Sequence, residues 1–166
     1  WWCLVVVVGG GGGGGGYRKA LEGANAYQCD TCRARVAATR TIQVHGLAPV
    51  LVVHLKRFSA QGSWRRKLDT PVDFPIDNLD LTDFSLYHTS TDAGREERCL
   101  YDLQAVSNHF GSTGGGHYTA FAKNADDGLW YKFDDSHTSL VPDPSTVVTP
   151  AAYVLIYVRR GLDIKI

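Results

Sequence analysis

Two residue types at one spacing could do chemistry in this chain. His117 follows the run Gly114-Gly115-Gly116, and seventeen residues later stands Asp134, in Phe133-Asp134-Asp135-Ser136. A carboxylate bonded to one ring nitrogen of an imidazole sets its tautomer and supports the imidazolium. The other nitrogen can then take a proton from a thiol and return it to a leaving amine. A thiol is a useful nucleophile near neutral pH when a neighbouring histidinium lowers its pKa. The glycines before His117 leave room for a thin substrate, since backbone without Cβ permits close approach. No nucleophile for this pair is recognisable among the 166 residues, so the expectation is a segment that does not perform the reaction alone.

A hairpin must bring the pair together. His117–Lys123 and Leu129–Asp134 read as strands around the turn Asn124-Ala125-Asp126-Asp127-Gly128. If Lys123 pairs with Gly128, His117 lies opposite Asp134, Phe121 opposite Trp130 and Tyr118 opposite Phe133. Aromatics then stack on both faces, and opposed Cβ atoms sit about 5 Å apart. A one-residue slip would put Asp135 opposite His117. The register with Asp134 is preferred, and the slip or a bulge stays open. The competing explanation is a structural pair in an ordinary hairpin. Two residues alone would favour it, and the glycine run and the words around it shift the balance.

The other elements are mostly strands. Val36–Val44, Pro49–Phe58, Tyr101–His109 and Ala151–Val158 are dense in β-formers. A short helix is expected around Tyr17–Glu22. Ser59–Arg66 reads as a polar turn, Leu68–Phe84 as edge strand and loop broken by Pro71 and Pro75, Ser85–Arg98 as a surface loop, and Gly111–Gly116 as a glycine loop. The fold class is α+β, β-dominated and mostly antiparallel.

Hydrophobic content of 44% and charged content of 20% suit a globular domain with a real core. Lys+Arg 17 against Asp+Glu 17 leaves no basic excess, which argues against nucleic acid and gives no support to a membrane surface. Met 0 suggests a fragment. The start holds an apolar run ending in four valines, far short of the roughly 20 residues of a membrane span, then glycines from Gly9 to Gly16. Residues 1–16 are therefore expected outside the fold as low-complexity, flexible chain. Residues 17–160 form the domain, and 161–166 a tail.

Cys29-x-x-Cys32 is half of a tetrahedral zinc site, two thiolates from one turn. A redox pair lacks its βαβ context, and two unligated thiols in a surface turn is the bland option. Cys3 and Cys99 have no meaningful spacing. Without a secretory signal, a reducing cytoplasmic or nuclear compartment is expected. His45, His54, His88 and His137 have no evident partner. Lys56-Arg57 and Arg65-Arg66-Lys67 read as a solvated face, and Trp64 as a contact or a packing cap.

The longer words carry a family resemblance. Tyr101-Asp102-Leu103-Gln104-Ala105-Val106-Ser107-Asn108-His109-Phe110-Gly111 followed by Gly115-Gly116-His117-Tyr118-Thr119-Ala120-Phe121 resembles the histidine box of the ubiquitin-specific proteases. Trp130-Tyr131-Lys132-Phe133-Asp134-Asp135-Ser136, Ala151–Tyr157, Pro49–Phe58 and Lys67–Pro75 match in the same order, so the resemblance runs from about Tyr27 to Arg160. It looks closest to the subgroup with DUSP and ubiquitin-like modules.

The resemblance implies a papain-like cysteine protease of fingers, palm and thumb. This chain would supply the mostly antiparallel palm sheet and part of the fingers, as the C-terminal half of the catalytic domain. The implied activity is thiol-dependent hydrolysis of the bond after the ubiquitin C-terminal glycine. His117 would be the base, Asp134 its orienting partner and Asp135 a nearby carboxylate. His109, Gly115, Gly116 and Tyr118 would lie along the ubiquitin tail, and Cys29 and Cys32 would be zinc ligands in a half-site. Ubiquitin and ubiquitinated proteins would be the partners. The family's cysteine box and thumb helices have no counterpart here. A scaffold that binds ubiquitin without catalysis is the alternative.

Overall fold

The computed structural model describes residues 3–8, 17–42, 46–61, 64–84, 98–112 and 114–161. The expectations for residues 9–16, the end of the strand at 43–44, the loop 85–97 and the tail beyond 161 fall outside these residues. The chain divides into two compact units. One holds residues 1–10, 47–80 and 99–166, the other residues 11–46 and 81–98.

The first unit is built on an eight-stranded sheet. In chain order its strands are β1 (Cys3–Val8), β6 (Val50–Leu55), β9 (Leu79–Asp80), β10 (Leu100–Ser112), β11 (Gly115–Lys123), β12 (Trp130–Asp134), β13 (His137–Val141) and β14 (Ala152–Arg159). Across the sheet the order is β1, β6, β14, β10, β11, β12, β13, with β9 on the start of β10. The β1–β6 ladder is parallel. The other ladders are antiparallel. A separate hairpin joins β7 (Phe58–Gln61) and β8 (Trp64–Lys67). The second unit holds two small antiparallel pairs, β2 (Tyr17–Leu21) with β5 (Ala38–Ile42), and β3 (Tyr27–Cys29) with β4 (Ala34–Val36). Helical structure among the described residues is limited to short 3₁₀ turns such as Gly23–Asn25 and Pro144–Val147. No helix among them is long and apolar enough to cross a membrane.

The strand-rich expectation holds, with corrections. Tyr17–Leu21 is a strand rather than a helix. Pairing with β5 satisfies a backbone too short to be a stable helix by itself. Cys3–Val8 was expected outside the fold and instead lies along β6, with Cys3 opposite Val50 and Val8 opposite Leu55. Its β-branched residues fit an open sheet edge, where unpaired N–H and C=O groups await a partner. Ser59–Arg66 is most of a hairpin rather than a turn. β13 was not anticipated: most of its side chains are exposed, so it carries little apolar alternation to betray it.

Leu51, Leu55, Leu103, Val106, Leu155 and Tyr157, from β6, β10 and β14, are buried, and so is Tyr101. Tyr101 is 0% exposed, and its hydroxyl donates to the Ala48 carbonyl at 2.6 Å. Burial pushes its phenol up to about 12. Tyr101→Phe leaves that carbonyl without its donor and should cost about 1–2 kcal/mol of stability. Urea denaturation checks this, and an unchanged midpoint would contradict it. Arg57, expected on a solvated face, is 3% exposed. It donates from Nε to the Ala152 carbonyl at 2.5 Å, and from Nη1 to the carbonyls of Leu68 and Thr70, both at 2.9 Å. It thus ties the chain leaving β8 to the start of β14.

Candidate active site

β10 and β11 form the long hairpin that carries the glycines and His117. Phe110 stands opposite His117, Gly111 opposite Gly116, and Ser112 opposite Gly115. The expected glycine loop is therefore largely the paired end of a hairpin. Gly111 has φ 101°, and a Cβ there would meet the Gly115 carbonyl oxygen at 2.6 Å. A Cβ on Gly116 would collide with the Phe110 carbonyl oxygen and the His109 ring. Gly115 has nothing within 4 Å of a would-be Cβ and faces open space.

β11 pairs with β12 in a register two residues away from the preferred one. Lys123 stands opposite Trp130, Phe121 opposite Lys132, and Ala120 opposite Phe133. The connecting loop is longer than expected because its own side chains hold it. Asn124 Oδ1 accepts the Asp126 N–H at 3.0 Å, Asp127 Oδ1 accepts the Leu129 N–H at 2.8 Å, and Gly128 takes φ 71°. A shift of two keeps every side chain on its face, because strand side chains alternate with period two. Continued by one residue, the register sets Asp134 across from Thr119, diagonal to His117 on the same face. The diagonal is within reach: His117 Nε2 lies 2.6 Å from Asp134 Oδ1.

Asp135 is not the direct partner. It is in the turn between β12 and β13, where Asp134 pairs with His137, and has φ 51°, a left-handed conformation that aspartate tolerates. It stays close, since donor atoms of His117, Asp134 and Asp135 all lie within 4.8 Å of one another. Lys132 approaches the same carboxylate, with Nζ 3.0 Å from Asp134 Oδ2.

Charge follows from these contacts. The hydrogen bond to Asp134 holds the His117 pKa above its ordinary value; Asp135 adds to this, and Lys132 opposes it. The hydrogen bond from His117, then that from Lys132, holds Asp134 below the usual carboxylate range. A carboxylate only accepts, so Nε2 carries the ring proton in the neutral imidazole and Nδ1 is the free base. The imidazole is about half exposed, 49% for the side chain, so Nδ1 can meet a reacting group.

Beside this pair lies an open groove of about 610 Å³, lined by Lys67, Asn108, His109, Phe110, Thr119 and Lys132 among others. Asn108 Nδ2, His109 Nδ1 and Thr119 Oγ1 are buried there without a hydrogen-bond partner among the described residues. His109 packs against Tyr118, ring centroids 4.7 Å apart, while Tyr118 itself is 55% exposed. The ladder between β10 and β14 shifts between Ser107 and Asn108, leaving Tyr153 as an extra residue. Such a bulge re-aims a side chain. The Tyr153 ring gathers His54 at 4.7 Å, Phe58 at 5.7 Å and His109 at 6.0 Å. Sequence reasoning missed Tyr153, because a bulge leaves no mark in the periodicity of one strand.

Neither Cys99 nor the backbone position of Cys3 lies near this site along the strands. Cys99 is 1% exposed and precedes Phe110, the cross-strand neighbour of His117, by eleven positions. At 3.3–3.4 Å per residue that is roughly 35 Å. Cys3 pairs with Val50, Val50 with Val158 and Val158 with Asp102, also toward the far end of β10.

In the second unit Cys29 ends β3, and the turn 30–33 carries Cys32. The Cys32 N–H donates to Cys29 Sγ at 3.4 Å. That contact is the main cause holding the Cys29 thiol below its ordinary pKa. Arg33 takes φ 51° to close the turn. The two donors fit one side of a thiolate metal site, in residue type, spacing and N–H support to sulfur.

A family model described as "Ubiquitin carboxyl-terminal hydrolase" matches residues 20–157. "Ubiquitin carboxyl-terminal hydrolase 15" from Homo sapiens is 49% identical over 143 residues, 86% of this chain and 14% of that protein. "Ubiquitin carboxyl-terminal hydrolase 4" from Mus musculus is 47% identical over 134 residues, 81% of this chain and 13% of that protein. The chain thus spans about one seventh of the length of these relatives. Among solved structures, the SAGA Ubp8/Sgf11/Sus1/Sgf73 DUB module bound to ubiquitin aldehyde aligns with TM-score 0.69 and 30% identity, over 89% of this chain and 32% of that one. The same module bound to monoubiquitin aligns with TM-score 0.69 and 31% identity, over 89% of this chain and 31% of that one. The strand-dominated fold is that of the papain-like palm sheet in these structures. The chain belongs to the ubiquitin carboxyl-terminal hydrolase family, as a ubiquitin-specific protease.

Proposed function

We propose that this chain is the histidine-box part of a thiol deubiquitinase, which hydrolyses the bond after the C-terminal glycine of ubiquitin. The observation that carries the reading is the 2.6 Å contact from His117 Nε2 to Asp134 Oδ1, with Nδ1 left free on an exposed ring. In this reading Nδ1 takes the proton of a cysteine thiol as the thiolate attacks the scissile carbonyl, and returns it to the departing amine. Asp134 holds the ring and supports the imidazolium, and Asp135 adds negative charge nearby. In this reading the attacking cysteine comes from elsewhere in the protein, since Cys99 and Cys3 are remote and Cys29 and Cys32 are read as metal ligands. The ubiquitin tail runs past Gly116 and the open side of Gly115, with His109 and Tyr118 beside it. The test is turnover of a ubiquitin C-terminal fluorogenic substrate by the protein expressed from its full coding region, with the His117→Ala variant beside it. Ubiquitin binding without turnover by a folded protein would move the reading to a non-catalytic scaffold.

Cys29 and Cys32 are proposed as zinc ligands, completed by two ligands from elsewhere in the protein. The metal would fasten the β3–β4 turn and do no chemistry on substrate. Cys29→Ser with Cys32→Ser should lower the zinc content measured by mass spectrometry by about one ion per chain, with little effect on the His117 site. Unchanged zinc content would remove these cysteines from any metal site. Cysteines at this spacing kept out of disulfides suit a reducing compartment, so we propose the cytoplasm or nucleus as its location.

A further inference from the structure

Asp134 has two carboxylate oxygens, and each meets a different nitrogen. Oδ1 faces His117 Nε2 at 2.6 Å, and Oδ2 faces Lys132 Nζ at 3.0 Å. Lys132 and Asp134 are two apart on β12 and therefore share a face. Lys132 stands between Phe121 on β11 and Ser139 on β13 in the ladders, so its stem is flanked on both sides of the strand. A carboxylate held at one oxygen alone can turn about its Cβ–Cγ bond and offer either oxygen at a range of tilts. Held at both, its plane is set.

We propose that Lys132 is a positioning residue, clamping the second oxygen of Asp134 so that the first is presented to His117 in one orientation. The inference rests on the reading of His117 as the base. It concerns a residue that does not touch the imidazole and acts through the carboxylate.

The clamp also balances charge. His117 faces Asp134 and Asp135 from the β12 side, both favouring its protonated form, and Lys132 is the cation opposing them. On the β10 side its cross-strand neighbours are Phe110 and Gly111, which carry no charge. Lys67 and Asp69 line the neighbouring groove but pair with each other at 3.2 Å, and Lys67 also donates to the His109 carbonyl at 2.7 Å. Removing Lys132 therefore leaves the two carboxylates unopposed, and His117 should hold its proton more tightly.

The experiment compares Lys132→Met, which keeps the stem and removes the ammonium, with Lys132→Arg, which keeps a cation. Both are made in the protein expressed from its full coding region. Lys132 is 40% exposed at its side chain, so neither substitution disturbs a core. NMR titration follows the His117 imidazole, identified by its loss in His117→Ala, and steady-state kinetics follow the fluorogenic substrate. Lys132→Met should raise the His117 pKa by roughly half a unit or more. It should lower kcat roughly tenfold through misorientation, with KM unchanged. The limb of the pH–rate profile that reports His117 should move upward with its pKa. Lys132→Arg should stay within about twofold of wild type on the same orientation argument. A Lys132→Met protein whose His117 titration and kcat are unchanged overturns the proposal. So does one in which KM alone rises, since Lys132 would then be a substrate contact. If His117→Ala retains full turnover, the base reading fails by itself, and the Lys132→Met titration still decides whether the clamp exists.

Discussion

His117→Ala should abolish turnover of a ubiquitin C-terminal substrate while leaving the fold intact. General base catalysis is worth roughly 10²–10⁴-fold. In a nucleophile–base unit the loss is larger, because neither partner works without the other. A fall of roughly 10³-fold or more in kcat is therefore expected, with KM little changed. The imidazole is half exposed and, among the described residues, its side-chain hydrogen bond is to Asp134, so truncation should not unfold the sheet. Asp134→Asn is the companion measurement. It keeps the shape and removes the charge that raises the His117 pKa, so the His117 titration should move down toward its ordinary value. The sign also applies to stability. A histidine whose pKa is raised on folding contributes fully below its unfolded value, and the contribution is lost as pH rises through the raised one. Asp134, whose pKa is lowered, contributes above its unfolded value and loses that contribution as pH falls through the lowered one. Full turnover by His117→Ala in a protein proved homogeneous by mass spectrometry would reject the base assignment.

Gly116→Ala should unmake the site from a different direction. The added Cβ meets the Phe110 carbonyl oxygen and the His109 ring. The carbonyl belongs to the strand paired with β11 and cannot rotate away, while His109 is 4% exposed and packed against Phe58 and Tyr118. Either β10 and β11 part near their tip or the His109 ring is driven out of its cluster. Overpacking of this kind costs about 1–3 kcal/mol. Because Gly116 directly precedes His117, kcat should fall with stability. Gly115→Ala is the contrast. Its Cβ would enter open space, so stability should stay within about 0.5 kcal/mol. If the ubiquitin tail passes there, KM should rise with the midpoint of urea denaturation unmoved. Equal stability losses for the two substitutions would show that the crowding at Gly116 is absent in solution. An unchanged KM for Gly115→Ala would move the tail elsewhere.

The chemistry was legible in the sequence because it depends on residue types and on a period of two. His117 and Asp134 lie on facing strands, and a register wrong by two residues still leaves both on one face. The expected direct pairing became a diagonal one, and the contact survived. A slip of one would have turned Asp134 away, and the ladder that sets Ala120 opposite Phe133 rules it out. The order of words from Pro49 to Tyr157 was enough to indicate the family, and the comparisons agree.

Local patterns could not carry what depends on non-neighbours. Arg57 reads as one of two surface cations, and only the convergence of the Ala152, Leu68 and Thr70 carbonyls makes it a buried strap. Tyr17–Leu21 has no strong period, so the availability of β5 as a partner decides its conformation. The parallel pairing of Cys3–Val8 depends on an open edge of β6, and β13 on a turn that costs little with aspartate at φ 51°. Lys132 was one letter in a motif until the structure placed its ammonium on Asp134. Thus residue identity and alternation determined which groups could react and on which face. Register, bulges and the neighbours of each carboxylate oxygen depended on contacts between distant segments, whose energies no single stretch of sequence contains.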